Sequence, residues 1–379
     1  MEDKHMLMIP GPTPVPEKVL ISLGKHPIGH RSGDFSQIIA EINQNLKWLH
    51  QTKNEVLSLN VSGTGAMEAG MINFLSPGDR VLVGVNGKFG DRWAQICEVF
   101  GMNTERITAD WGTPLDTEEI RTKLEADSNK EIKAVVITHS ETSSGVLNDL
   151  ETINKHVKAH GDALMIVDAV TSLGAYNLPI DDWGLDVVAS GSQKGYMIPP
   201  GMGFLAVSDK AWQAYETCKF PRFYMDLGKY KKSNAKNSTP FTPPINLMFG
   251  LQTALEMMQR EGLENIFARH TRLTNATRAA AKAIGLELLA PDDAASTAVT
   301  AIKADNAEAI RSTMRQKFDI ALAGGQDHLK GKIFRIGHLG FISDRDVLMT
   351  ISCLEATLTE LGHDFAPKSG VKAAAAVLV

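Results

Sequence analysis

Cysteine is scarce in this chain, three in 379 residues. Cys97, Cys218 and Cys353 stand far apart, and no pair has C-x-x-C spacing, so a disulfide framework, a zinc knuckle and an iron–sulfur site all lack support. Isolated thiols fit a reducing compartment. Long apolar runs are missing too: nothing approaches the ~18 unbroken apolar residues of a membrane span. The opening MEDKHMLMIPG is mixed in charge and breaks at Pro10-Gly11, unlike a signal peptide. There is no excess of positive charge. Lys and Arg number 39 against 44 Asp and Glu, a formal charge of −5, which argues against general nucleic-acid binding but leaves room for a local cationic pocket. No repeat of solenoid length is visible. These absences lead us to expect a soluble, cytoplasmic protein with neither a membrane nor a nucleic acid as partner.

Hydrophobic residues make up 43% and charged residues 22%, enough for a sizeable core, and the length suits one large domain with a smaller second one. Residues 35–49 read as a helix, with Phe35, Ile38, Ile39, Ile42, Leu46 and Leu49 on one face. Short apolar runs at 80–84, 134–138, 163–167, 186–189 and 203–207 alternate with helical segments, the pattern of a parallel sheet buried on both faces. Residues 229–244 (KYKKSNAKNSTPFTPP) are poor in apolar side chains and rich in breakers, and predict a loop. Beyond it, 246–262, 263–284 and 344–361 predict helices, and 296–302 and 332–336 predict strands. The tail from Ala373 is uninformative. The expected fold is α/β: a large domain over 17–245, and a smaller α+β domain formed by 1–16 and 246–379.

Ligands of open parallel sheets sit beyond the carboxyl ends of the strands, and four features fall near such places. Ser62-Gly63-Thr64-Gly65 opens a helical stretch. Free backbone N–H groups and hydroxyls there would cradle a phosphate, although an ordinary capped helix reads the same way. Asp168 ends an apolar strand. A carboxylate there needs a partner, and a cationic ring nitrogen or a turn to cap would serve. Lys194, in Ser190-Gly191-Ser192-Gln193-Lys194-Gly195, follows another strand. Partial desolvation would lower its pKa and suit imine formation with an aldehyde; a solvated loop lysine is the plainer alternative. Arg335 lies inside the apolar run Ile333-Phe334-Arg335-Ile336 and requires an anion, either a substrate carboxylate or an acid of the protein. Their order is more telling than any one of them. A phosphate-type helix entry and a hydroxyl loop (Glu141-Thr142-Ser143-Ser144-Gly145) precede a strand-end Asp. A Lys follows 26 positions later, then a late Arg. Pyridoxal 5′-phosphate needs such a set for its phosphate, phenolic oxygen, ring nitrogen and aldehyde.

With these residues in view, the chain resembles the class V, fold type I aminotransferases of the alanine–glyoxylate, serine–glyoxylate and serine–pyruvate group. The resemblance runs from Pro10-Gly11-Pro12-Thr13 to Arg335-Ile336-Gly337 and is strongest in THSETSSGVL, VDAVTSLG and SGSQKGYMIPPG. It implies a seven-stranded, mostly parallel sheet and pyridoxal phosphate as cofactor. It implies that Lys194 carries the cofactor as an internal aldimine, that Asp168 pairs with the pyridinium nitrogen, and that Ser143 meets the phenolic oxygen. Ser62, Gly63, Thr64 and Gln193 would hold the phosphate, Phe89 would stack on the ring, and Val170 would lie beside it. Thr239 and Thr242 would reach the phosphate of a neighbouring subunit in a homodimer. Arg335 would clamp the substrate carboxylate. The implied reaction is ping-pong transfer from alanine or serine to glyoxylate or pyruvate, with a setting in photorespiration. Animal alanine–glyoxylate relatives carry His, Trp and Tyr where this chain has Thr64, Phe89 and Thr239. Three other readings compete, one of them a non-catalytic binding module that keeps the fold, against which the set Lys194, Asp168 and Arg335 argues. A cysteine desulfurase would need a nucleophilic Cys on a loop near the cofactor, and residues 321–330 have none. Some cyanobacterial relatives have carried a soluble-hydrogenase subunit label. His30, Arg31, His139 and the basic stretch Lys229–Lys236 are left without a role.

Overall fold

The computed structural model describes residues 5–378. Met1–Lys4, expected in the smaller domain, and Val379, the end of the tail, lie outside the described residues.

Seven strands make the larger sheet. In spatial order they are Val56–Leu59, Gly203–Val207, Val187–Gly191, Leu164–Asp168, Ile132–Thr138, Arg80–Val85 and Asn103–Thr108. All run parallel except Gly203–Val207, which is antiparallel to both neighbours. The central strands are buried along their whole length, as their apolar runs predict. Alternate side chains supply the two faces. Val135, Ile137, Met165, Val167 and Val188 pack into one core cluster. Ala134, Val136, Leu164, Ile166 and Val187 pack into the other.

Helices cover both faces. Gly33–Leu49 is capped by Ser32, whose hydroxyl accepts from Phe35 N, and it buries Phe35, Ile39, Ile42, Leu46 and Leu49 in the first cluster. Each such side chain contributes about 1.5–3 kcal/mol of burial. Gly63–Ile72 places Ala66, Met67, Ala69 and Met71 in the second cluster.

A second sheet has the order Met6–Met8, Ile320–Gly324, Ile333–Gly337, Val299–Lys303. Met6–Met8 lies parallel to Ile320–Gly324, and the other pairs are antiparallel. Helices Leu263–Ala283, Ala307–Phe318, Asp344–Glu360 and Ser369–Leu378 share its apolar core. The molecule is thus the α/β fold that the sequence predicts, with a large, mostly parallel sheet.

The differences have local causes. The predicted loop at 229–244 begins inside a helix, Leu227–Asn234. Asp226 caps it by accepting from Gly228 N, and Leu227 and Tyr230 are its buried anchors. The predicted strand at 296–302 starts only at Val299, and the tail forms the helix Ser369–Leu378. Strands Val56–Leu59 and Asn103–Thr108 were not anticipated; the second is an edge strand with one buried residue of six, so it carries no apolar run.

Candidate active site

Asp168 ends its strand, and Lys194 follows the adjacent parallel strand, where Asp168 lies opposite Ala189. The loop after Lys194 is braced by the Tyr196 hydroxyl, bonded to His50 Nε2 and Ser190 Oγ at 2.7 Å each. It also packs on the turn beyond Asp168: a Cβ on Gly195 would stand 2.2 Å from the Leu173 carbonyl oxygen, so no side chain fits there.

Lys194 is 8% exposed, and its Nζ donates to the Pro10 carbonyl at 2.5 Å. That carbonyl belongs to an arm running from strand Met6–Met8. The arm is tied to the lysine loop by Thr13 N to Gln193 O and by Thr13 Oγ1 to Lys194 O, both 3.1 Å. Gly11 has φ +133°, and a Cβ on it would lie 2.5 Å from Lys194 Nζ; glycine supplies both the conformation and the room. Burial lowers the Lys194 pKa to about 8, against the pull of Asp168 and with the push of Arg335 and Arg92.

Asp168 is 4% exposed and accepts one hydrogen bond, from Val170 N at 2.9 Å. Burial raises its pKa to about 6. The Val170 amide opposes this, Glu141 adds to it, and Lys194 and the Trp93 indole oppose it. Trp93 Nε1, fully buried, meets no acceptor in ordinary hydrogen-bond geometry. The lysine and the aspartate therefore share one electrostatic environment, and no cationic side chain among the described residues is hydrogen-bonded to the buried carboxylate.

Arg335, 6% exposed, donates to the Gly324 carbonyl from Nε (2.9 Å) and Nη2 (2.7 Å), and to the Thr142 carbonyl from Nη1 (2.7 Å). Among the described residues no carboxylate is hydrogen-bonded to it, although the charge of the buried Glu141 acts on it from farther off. Burial lowers its pKa to about 10. The protein-internal ion pair considered from sequence does not form, and the guanidinium keeps its charge beside Lys194 for an external anion.

Ser143 is occupied in an unanticipated way. Its Oγ accepts from Lys88 N (2.9 Å) and donates to Glu141 Oε1 (2.6 Å). Glu141 is completely buried and also accepts from Phe89 N, Gly90 N and Ser143 N at 3.0–3.1 Å. Burial pushes its carboxyl pKa up, and the four donors oppose that. A carboxylate at the first turn of helix Lys88–Val99 also meets the helix dipole favourably. Glu141 thereby sets the place of Phe89. The hydroxyl loop quoted in the sequence contained it, but only the fold shows what it caps.

At the other end, Ser62 caps helix Gly63–Ile72 by accepting from Gly65 N at 3.3 Å. The amides of Gly63 and Thr64 have no acceptor among the described residues. Gly63 packs against Val170 and against Gly191, and the Gln193 Oε1 atom is buried without a hydrogen-bond partner. Thr64 Oγ1 accepts from Arg92 Nη1 at 3.1 Å, and the Arg92 guanidinium lies 4.8 Å from the centre of the Phe89 ring. Sequence reasoning missed Arg92, although it stands three residues after Phe89 on the same helix face.

These residues fit pyridoxal phosphate. Free amides at a helix start suit the phosphate, no cation among the described residues is bonded to the buried Asp168, and the nearby Lys194 is an amine of lowered pKa. The cations Lys194, Arg335 and Arg92 outnumber Asp168 and Glu141, although the whole chain is acidic. Thr239 and Thr242 do not join the group. Thr239 Oγ1 donates to the Phe241 carbonyl, and both line a small cavity with Asn60, Tyr224, Tyr230 and Phe241. Arg31 donates to Ser238 Oγ and to the Thr239 carbonyl, so it orders that segment, while His30 is half-buried. His139 is buried against Ser172 and Tyr176. Among the described residues, no group of three or more His, Cys, Asp or Glu could hold a metal ion, and no helix is long and apolar enough to cross a membrane.

Comparison with known proteins agrees with this geometry. Residues 10–336 match the family model described as Aminotransferase class-V. A protein of Anabaena cylindrica named Soluble hydrogenase 42 kDa subunit is 67% identical, over 100% of this chain and 99% of its own length. An L-aspartate–glyoxylate aminotransferase of Paracoccus denitrificans is 37% identical, over 99% and 96%. The crystal structure of ureidoglycine–glyoxylate aminotransferase from Bacillus subtilis superposes with a TM-score of 0.92 at 28% identity, covering 100% of this chain and 98% of that one. With a buried lysine and aspartate at adjacent strand ends, and a match across nearly its whole length, the chain belongs to the class V aminotransferases, enzymes that depend on pyridoxal phosphate.

Proposed function

We propose that the protein moves the amino group of alanine or serine to glyoxylate or pyruvate in a ping-pong reaction. Arg335 carries this reading: one buried guanidinium, held by two carbonyls and unpaired with any acid among the described residues, matches the single carboxylate that these substrates share. A charged amine of lowered pKa lies within its electrostatic reach. The acceptor is supported by the two glyoxylate aminotransferases above, and glyoxylate chemistry also suits photorespiration.

Lys194 would hold the cofactor through its aldehyde. Ser62, Gly63, Thr64 and Gln193 would hold the phosphate, Phe89 and Val170 would flank the ring, and Ser143 would meet its oxygen. Bound there, pyridoxal phosphate supplies a ring that withdraws electrons from the α-carbon of the joined amino acid. Asp168 would keep the ring nitrogen's proton, and that cation would draw its own pKa back down. Lys194 Nζ, once free, would take the proton from the substrate α-carbon and deliver it to the carbon of the cofactor's former aldehyde, a task suited to a pKa near 8. We place the site in a cytoplasmic homodimer, with Thr239 and Thr242 serving the neighbour's phosphate, and divide each chain into 17–245 and 1–16 with 246–379.

A second reading follows from the name of the 67% relative, a hydrogenase component. A donor–acceptor panel settles the first: half-reaction spectra with alanine and serine should show conversion of the cofactor, and glyoxylate or pyruvate should reverse it. Efficient turnover of aspartate would refute the monocarboxylate reading. Stoichiometric nickel or iron in the purified protein would favour the second.

A further inference from the structure

Arg92 is used neither by the Lys194–Asp168 pair nor by Arg335. Its helix, Lys88–Val99, is fixed at the first turn by Glu141 and Ser143. Phe89, Arg92 and Trp93 stand at i, i+3 and i+4, one face of that helix. The face is turned to the site: Arg92 donates to Thr64 at the start of helix Gly63–Ile72, and its charge bears on Lys194. The guanidinium donates once, to Thr64 Oγ1, and lies over the Phe89 ring. It pairs with no acid among the described residues, whereas Arg106, on the edge strand Asn103–Thr108, is bonded to both Asp91 and Glu98. A guanidinium has five N–H donors, so most of its capacity is free.

Its neighbourhood is positive. The start of helix Gly63–Ile72 carries the positive end of a helix dipole and the unpaired amides of Gly63 and Thr64. A full cation beside that end is unfavourable unless an anion sits between them. We propose that Arg92 is a phosphate ligand of the cofactor. It adds the formal charge that Ser62, Gly63, Thr64 and Gln193 lack, and it holds Thr64 and Phe89 in place as it does so. The inference rests on the assignment of Ser62–Thr64 to the phosphate.

Pyridoxal supplies the control, because it has the same ring and aldehyde but no phosphate. The apo-protein and its Arg92→Leu and Arg92→Lys variants are titrated with pyridoxal phosphate and with pyridoxal, followed by tryptophan fluorescence. The wild-type protein should prefer the phosphorylated form strongly; absence of that preference would overturn the phosphate site itself. Arg92→Leu should weaken pyridoxal phosphate about ten- to a hundredfold, the scale of a hydrogen bond to a charged group, and leave pyridoxal unchanged within about twofold. Arg92→Lys should recover part of the loss. If that leucine variant does not fold, the lysine variant carries the comparison, with a several-fold loss confined to the phosphorylated form. Equal losses for both compounds would make Arg92 only a prop for Phe89, and unchanged affinity for pyridoxal phosphate would remove it from the site; either result overturns the proposal.

Discussion

Replacing Lys194 with methionine should make the cofactor-free protein more stable at neutral pH, although it abolishes the reaction. Burial lowers the lysine pKa from its ordinary 10.5 to about 8. At roughly 1.4 kcal/mol per unit, the folded protein carries a penalty of about 3 kcal/mol whenever this amine is charged. Methionine removes the penalty. It also leaves the Pro10 carbonyl without the Nζ donor, a loss of about 1 kcal/mol. The net gain is about 2 kcal/mol at pH 7. The sign follows from proton binding: between pH 8 and 10.5 the unfolded lysine holds more protons than the folded one, so the wild-type protein gains stability as pH rises through that window. The advantage of the variant should therefore fade near pH 10. Unfolding midpoints of the two cofactor-free proteins, at pH 7 and pH 10, test this. A variant less stable than wild type at pH 7, or a difference that does not move with pH, would show that the amine is not charged at a cost in this pocket.

Gly11→Ala should cut kcat/KM by roughly tenfold or more while the protein stays folded, because a Cβ would lie 2.5 Å from Lys194 Nζ and φ would be strained at +133°; unchanged kinetics would show that the arm yields freely. Glu141→Gln turns an amide group toward backbone N–H donors and deletes a charge from a helix start. It should lower stability by about 2–4 kcal/mol in denaturant unfolding, and a loss under 0.5 kcal/mol would contradict the anionic cap.

The sequence was most readable where burial and chain direction act together. Arg335 interrupts an apolar run, Asp168 ends one and Lys194 follows one, and an ionisable group at such a place signals its own need for a partner. The sheet was legible from the same runs, since 134–138 and 163–167 offer no polar face. Direction was not: Gly203–Val207 looks like its parallel neighbours, because apolar content does not record which way a strand is entered. Glu141 and Arg92 escaped for another reason. Their partners, at Phe89–Gly90 and Thr64, lie far along the chain, and no local pattern records such contacts. Thr239 and Thr242 were assigned by resemblance alone; within one chain they gather around Phe241, away from Lys194 and Asp168.

The arm from Met6 to Thr13 has a consequence for the newly made chain. It is pinned at one end to Ile320–Leu322 and at the other to the loop of Lys194. Its anchoring strand cannot pair until more than three hundred later residues have left the ribosome, on the order of tens of seconds at typical synthesis speeds. An interrupted translation product ending before Ile320 would contain the reactive amine and most of the cofactor cradle, yet only the bonds to Gln193 and Lys194, without the strand pairing, would hold the arm across it. Closing so long a span comes late and slowly. Fragments left by stalled synthesis should therefore bind vitamin B6 less tightly than the full chain.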